Sequence, residues 1–398
     1  EWKFDRQLRG RPGWMVTEKD SKQHEVSWFR SDDVDPLDGC NIFLTIDEVI
    51  QAIVEEEIDK VYREYEAKWA SVLVMEPSTG RILALANRPT YDPNKYSSSN
   101  SDQRRNRGIS DQIEPGSTFK VFPASGVLEE GLVTADTEFY CEDGAYSIGG
   151  RLLRDSHPHG ILTFEEIIQK SSNIGMAKVG MMLGRNDLYQ LLRRFGVGSR
   201  TGIELPGEAG GVLRHPRHWS KLSIRSITMG HEVSITPLGL LTAFTVLGNG
   251  GVLLHPRIID RIESPAGEVI YSYDRKEKGR VVSEDTARKM LEILQKVVLE
   301  GGTGRRARIA GFEVAGKTGT AQKLDPDGPG YSHSLYRALF MGMFPVSDPR
   351  LAILVVVDEP RPYYYGGVVS APVFRKVGER IIRYLDLEAP EPGDRDEA

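Results

Sequence analysis

Cysteine is almost missing from this chain: there are two, Cys40 and Cys141, far apart and in no CxxC or Cys/His spacing. That excludes a disulfide framework and a thiolate zinc site, and leaves a single bridge between them open. Long hydrophobic runs are also lacking. The longest, 351–357, is strand-sized and far too short to cross a bilayer. No signal peptide is visible; the chain opens abruptly at Glu1-Trp2 and reads as a piece of a longer protein. A surplus of basic charge is absent as well, since the formal net charge is −6, and with it any sign of nucleic-acid binding. The short basic runs at 104–107 and 305–308 read as solvated loop or helix faces. His157 and His159 flank Pro158 in a polar loop without an HExxH pattern, which favours surface histidines over a metal site. There is no internal repeat and no low-complexity segment.

What is present is ordinary globular composition, 39% hydrophobic and 27% charged over 398 residues. Residues 1–38 are polar and irregular, with a possible strand at 25–29, and are too few to fold alone. Thr45-Ile46-Asp47-Glu48 matches a capping box opening a helix whose apolar residues (Ile46, Val49, Ile50, Ile53, Val54, Ile58) follow the 3.6-residue period. Apolar runs at 72–75 and 82–86 around Glu76-Pro77-Ser78-Thr79-Gly80 predict a β-hairpin. The region 117–300 reads as mostly helical with long loops. One helix opens at a second capping box, Thr163 and Glu166, and continues towards Gly184; another covers 237–247. Strands at 312–315, 338–344 and 351–357 follow, then a helix at 371–385. Strands at both ends with helices between predict an α+β fold, a central antiparallel β-sheet covered by helices.

Within that frame three motifs carry chemistry. Glu114-Pro115-Gly116 leads into Ser117-Thr118-Phe119-Lys120, a turn followed by a helix start. The spacing puts Ser117 and Lys120 on one helix face, where a buried lysine with a depressed pKa can take a proton from a hydroxyl. The N–H of Ser117, at the helix start, is free to face an oxyanion. Alone this S-x-x-K is weak, since it should arise by chance roughly once or twice in such a chain. Lys317-Thr318-Gly319 at a strand end is rarer, about one chain in ten by composition. Its cation and the hydroxyls of Thr318 and Thr320 suit a substrate carboxylate. Gly319 lets another backbone come close, and the Thr320 N–H supplies a second oxyanion donor. Ser-Ser-Asn occurs twice, at 98–100 and 171–173. The later copy is preferred because it interrupts a capped amphipathic helix, where polar groups must find partners or face a cleft. Tyr363, Tyr364 and Tyr365 either border that cleft or pack. Pro123 is expected to kink the Ser117 helix, and Glu129 and Glu130 to form a solvated helix end.

The order S-x-x-K, S-x-N, K-T-G resembles the set found in penicillin-binding proteins and class A β-lactamases. Most of the chain from 39 to 385 is similar to the class B penicillin-binding proteins of the division-specific type. Leu44-Thr45-Ile46-Asp47, the hairpin 75–84, Ile235-Thr236-Pro237, 316–322 and Tyr364-Tyr365-Gly366-Gly367 carry the likeness. Residues 4–10 resemble the end of that family's N-terminal pedestal. The resemblance implies the penicillin-binding/serine β-lactamase-like transpeptidase fold: a pedestal or dimerisation remnant at 1–38, a transpeptidase domain at 39–388 and a polar tail at 389–398. It implies that Ser117 forms an acyl-enzyme with Lys120 as base, that Ser171 shuttles the proton, and that Asn173 holds substrate and Lys120. Lys317 would supply positive potential, Thr318 and Thr320 the carboxylate site, and the N–H groups of Ser117 and Thr320 the oxyanion hole. No metal or organic cofactor is implied. The implied substrates are peptidoglycan stem peptides ending in D-Ala-D-Ala, with β-lactams as inhibitors and a membrane glycan polymerase and division proteins as partners. The implied location is the extracytoplasmic face of the bacterial cytoplasmic membrane, with an anchoring helix outside this chain. A β-lactamase or D,D-carboxypeptidase on the same fold would lack the pedestal, and a non-catalytic sensor would lack part of the motif set. His231 departs from the family, which more often has an aromatic or glutamine there.

Overall fold

The computed structural model describes residues 2–26, 32–148, 150–326 and 328–389. Part of the strand expected at 25–29 and nearly all of the tail at 389–398 lie outside them. The chain divides into two compact units: Glu1–Thr45 with Glu204–Pro206 and Arg257–Asp274, and the remainder. The first unit thus draws in two later segments that the sequence reading gave to the catalytic domain. In it, Asn41–Leu44 and Val269–Ser272 flank Ile259–Glu263 in a three-stranded sheet.

The second unit is organised on five antiparallel strands: β1 (Trp69–Met75), β2 (Ile82–Arg88), β3 (Ala315–Leu324), β4 (Tyr331–Phe344) and β5 (Leu351–Asp358), in the order β3-β4-β5-β1-β2. The expected sheet built from both ends is present, but the strand expected at 312–315 is Ala315–Leu324, so Lys317-Thr318-Gly319 lies near the start of a strand and not at its end. Every residue of β1 and β5 is buried, because both faces are covered and successive side chains point to opposite sides. On one face Val72, Val74, Phe340, Ile353 and Val355 pack with Ile50, Val54 and Ile58 of α1 (Glu48–Glu64) and with Phe374, Val377 and Ile381 of the C-terminal helix (Gly366–Leu385). On the other lies the helix Pro237–Gly248, whose Gly248 would place a Cβ 2.7 Å from the Met343 sulfur.

Several local expectations are corrected. The cap of α1 is Asp47, which accepts from the N–H groups of Val49 and Ile50, so Thr45 is not its N-cap. The C-terminal helix starts at Gly366, with Pro372 inside it. The stretch taken as mostly helical also holds short ribbons: Glu138–Tyr140 with Ile161–Thr163, Ala145–Ile148 with Arg151–Arg154, and Val252–Leu254 with Glu277–Arg280. Strands of three or four residues leave little alternation to read, whether exposed like Glu277–Arg280 or buried like Val252–Leu254. Both cysteines are free. Arg107 is buried rather than solvated, paired with Asp111 at 3.1 Å and Asp102 at 2.5 Å. Glu129 is half-buried and accepts from the Ser283 hydroxyl at 2.7 Å and its N–H at 2.9 Å. Among the described residues no helix is long and apolar enough to cross a membrane.

Candidate active site

The first motif stands on a 3-10 turn, Gly116–Lys120, that runs straight into α2 (Val121–Glu129). Residues three apart eclipse in a 3-10 helix, so Ser117 and Lys120 share a side. Pro123 falls in the first turn of α2, where its missing N–H has no intrahelical acceptor, and the change of helix type precedes it. The expected kink at Pro123 is replaced by that junction.

Lys120 is fully buried. Its Nζ donates to the Ser171 carbonyl at 2.7 Å and Asn173 Oδ1 at 2.8 Å, and lies 3.2 Å from Ser171 Oγ. Burial lowers its pKa to about 7, against the upward pull of Asp155. Lys317 reaches the same hydroxyl from β3, with Nζ 2.9 Å from Ser171 Oγ. It too is fully buried, and burial first, then the charge of Lys120, hold its pKa well below the ordinary lysine value. One serine oxygen thus bridges two desolvated amines. Ser117 does not join this network directly: among the described residues its hydroxyl has no hydrogen-bond partner. It borders, with Ser171 and Asn173, an open cleft of about 640 Å³.

The second motif sits where the expected single helix breaks in two. α3 (Phe164–Lys170) has the reciprocal Thr163–Glu166 capping box and ends at Ser171, whose φ of 60° is left-handed. Such a conformation in a non-glycine residue costs on the order of 1–3 kcal/mol and persists only where its surroundings impose it. Ser172 then caps α4 (Asn173–Arg194), accepting from the Gly175 N–H at 2.9 Å. Asp155 completes the cap. Its carboxylate accepts from the Ser172 hydroxyl at 2.6 Å, the Ile174 N–H at 3.0 Å and the Asn173 N–H. Asn173 Nδ2 donates to the Arg154 carbonyl at 2.9 Å, which turns its Oδ1 to Lys120.

In the third motif Thr318 and Thr320 line the cleft while Lys317 lies behind it. The Thr318 hydroxyl shares a 2.7 Å hydrogen bond with that of Thr303, and Thr320 Oγ1 accepts from the Gly366 N–H, at the start of the C-terminal helix, at 3.2 Å. At Gly319 the close neighbour is the nucleophile turn itself: a Cβ would sit 2.8 Å from Thr118 Cγ2 and 3.2 Å from the Pro115 carbonyl oxygen. Glu114, just before that turn, accepts from the Tyr331 hydroxyl at 2.9 Å and the Glu232 N–H at 3.1 Å, and lies 3.1 Å from His231 Nδ1. Tyr364 and Tyr365 border the cleft, and Tyr364 stacks on Tyr336 at 4.1 Å.

A family model for the penicillin binding protein transpeptidase domain matches residues 70–379. The chain belongs to this family. Its relatives place this penicillin-binding protein in class B, of the division type. It is 35% identical to the probable peptidoglycan D,D-transpeptidase PenA of Neisseria flavescens, over 97% of this chain and 93% of that protein. It is 33% identical to the peptidoglycan D,D-transpeptidase FtsI of Escherichia coli, over 100% of this chain and 65% of that one. The penicillin-binding protein 3 of Mycobacterium tuberculosis, solved in complex with aztreonam, superposes with a TM-score of 0.85 at 29% identity, covering 98% of this chain and 90% of that one. Against several of the curated relatives the chain spans less than two thirds of their length, 62% for PenA of Neisseria meningitidis and 65% for FtsI.

Sequence reasoning missed Asp155 and Thr303. Neither carries a motif, and each acts by touching one: Asp155 from a neighbouring loop, Thr303 from across a strand edge. The sequence predicts a surface histidine pair, and His157 is exposed and also lines the cleft.

Proposed function

We propose that this penicillin-binding protein is a serine D,D-transpeptidase that cross-links peptidoglycan stem peptides and is acylated by β-lactams. The observation that carries the reading is the Ser171 hydroxyl held between Lys120 and Lys317, 3.2 and 2.9 Å away, beside the cleft that Ser117 borders. Neutral Lys120 takes the Ser117 proton as Oγ attacks the penultimate D-Ala carbonyl. The C–N bond breaks, the proton passes through Ser171 to the leaving amine, and D-Ala departs. An acceptor amine then attacks the ester; its proton returns by the same route and Ser117 is restored. Buried Lys317, whose Nζ donates to Ser171 Oγ at 2.9 Å, orients that hydroxyl for the relay. Thr318, Thr320 and the amino end of the C-terminal helix bind the terminal carboxylate, and the N–H groups of Ser117 and Thr320 receive the developing oxyanion. Supporting the assignment to cell-wall cross-linking in division are the names of the relatives, D,D-transpeptidases in both Neisseria and Escherichia. On this reading the enzyme works at the extracytoplasmic face of the cytoplasmic membrane, with a glycan polymerase and division proteins as partners.

The test is an intact-mass time course with benzylpenicillin. The parent should gain one stable penicilloyl adduct and Ser117→Ala none. Rapid loss of the adduct with penicillin consumed would make the protein a hydrolase instead, and an adduct on Ser117→Ala would remove the nucleophile assignment.

A further inference from the structure

The cleft wall is charged in one direction. Lys170, Arg305 and Arg306 line it, and no aspartate or glutamate does so among the described residues, in a chain whose net charge is −6. Lys170 is neutralised by Glu166 at 3.1 Å. Arg305 and Arg306 are exposed and have no carboxylate partner among the described residues. A cation pair left uncompensated in a concave site raises the local concentration of anions and draws them in.

The loop that carries the arginines is held in place. They open the short 3-10 turn Arg305–Ala307, anchored by fully buried Ala307. The loop before it is clamped: a Cβ on Gly302 would sit 2.1 Å from the Val297 carbonyl oxygen, and the Gly304 N–H donates to that oxygen at 2.9 Å. Thr303, between those glycines, ties the loop to Thr318 of the third motif at 2.7 Å. The backbone that carries the two arginines is therefore fixed beside the hydroxyls assigned to the terminal carboxylate, so that binding has to order the two side chains but not the loop.

We propose that Arg305 and Arg306 form a second anion subsite of the cleft, which takes a carboxylate on the donor peptide upstream of its D-Ala-D-Ala end. This rests on the transpeptidase reading and deepens it: the preferred donor is acidic, with one carboxylate held by Thr318 and Thr320 and another by the arginine fork. A donor whose upstream carboxylate is converted to the amide loses charge-assisted hydrogen bonds and binds more weakly.

The experiment uses the whole chain and two synthetic peptides ending in D-Ala-D-Ala, one with a free side-chain carboxylate on the preceding residue and one with the carboxamide. Each competes with fluorescent benzylpenicillin, and the concentration that halves the acylation rate is read. The parent should prefer the carboxylate peptide by about tenfold or more, the size of one charge-assisted contact. In Arg305→Ala/Arg306→Ala that ratio should collapse towards one, and in Arg305→Glu it should invert. A circular-dichroism melt on each variant separates this from unfolding, and the ratio between two peptides on one protein is insensitive to the active fraction. Equal competition by the two peptides on the parent, or none by either, would overturn the subsite, as would a ratio kept by the double variant. Failure of the parent to acylate with penicillin would instead overturn the transpeptidase reading and the subsite with it.

Discussion

Ser-Ser-Asn occurs at residues 98–100 and again at 171–173, and the two copies lie in contrasting surroundings. In the first copy the side chains bond within a few residues: Ser98 Oγ donates to the Lys95 carbonyl at 2.8 Å, Ser99 Oγ to the Tyr96 carbonyl at 2.6 Å, and Asn100 Oδ1 accepts from the Gln103 N–H at 2.9 Å. In the second, Ser171 Oγ meets lysines 51 and 146 residues away, and Asn173 Oδ1 meets a lysine 53 residues away. Local bonding lets a loop turn at the surface; distant bonding to buried amines costs desolvation that only function or an exacting fold would retain. The tripeptide is the same, and the break between α3 and α4 is what separates a turn from a site.

The contrast is broken most severely at Ser171. Ser171→Ala should slow acylation by benzylpenicillin by roughly 10²- to 10⁴-fold, the range of a lost proton-transfer group; a rate within a factor of three of the parent would remove Ser171 from the proton path. Asp155→Ala should have a middling effect of two kinds. Losing the carboxylate that caps α4 should destabilise the protein by about 1–2 kcal/mol in a denaturant titration. Removing the charge that pulls the Lys120 pKa up should move the acylation–pH profile to lower pH. A melt shifted without any shift in that profile would confine Asp155 to a structural role. Ser98→Ala should change little, within about 0.5 kcal/mol in stability and with unaltered acylation, as for an exposed turn. A loss there comparable to Ser171→Ala would erase the distinction between the copies.

How far the molecule was legible varies by region for physical reasons. The strands at 338–344 and 351–357 and the first strand of the hairpin were visible because central strands buried on both faces need continuous apolar runs, whereas Ile82–Arg88, at the sheet edge with alternating buried and half-buried residues, was marked by the turn before it. Short ribbons such as Ala145–Ile148 with Arg151–Arg154 were not, since their mostly exposed or half-buried faces demand no pattern. The three motifs could be named from residue type and spacing, and the structure brings Lys120, Ser171, Asn173 and Lys317 into one hydrogen-bonded cluster. The resemblance set Asn173 against Lys120, and its Oδ1 does accept from that amine at 2.8 Å, but the rest of the geometry was not foreseen. Spacing suggested that Lys120 would meet Ser117, whereas its amine is turned to residues 171–173. The cap supplied by Asp155 and the tie from Thr303 depend on loops whose paths no local signal sets. Arg107 shows the same limit: in a run of arginines nothing marks the one that is buried between two aspartates.

The central claim is that Lys120 acts as a neutral base because burial has lowered its pKa to about 7. A base works only when deprotonated, so its active fraction grows as pH rises and falls about tenfold per unit below that pKa. The most direct test is the second-order rate of benzylpenicillin acylation measured from pH 5 to 9, with the fold checked by circular dichroism at each point. The account predicts a rate that climbs through pH 7 and levels off above it. A rate that is flat across the range, or that keeps rising towards the ordinary lysine value, would contradict it.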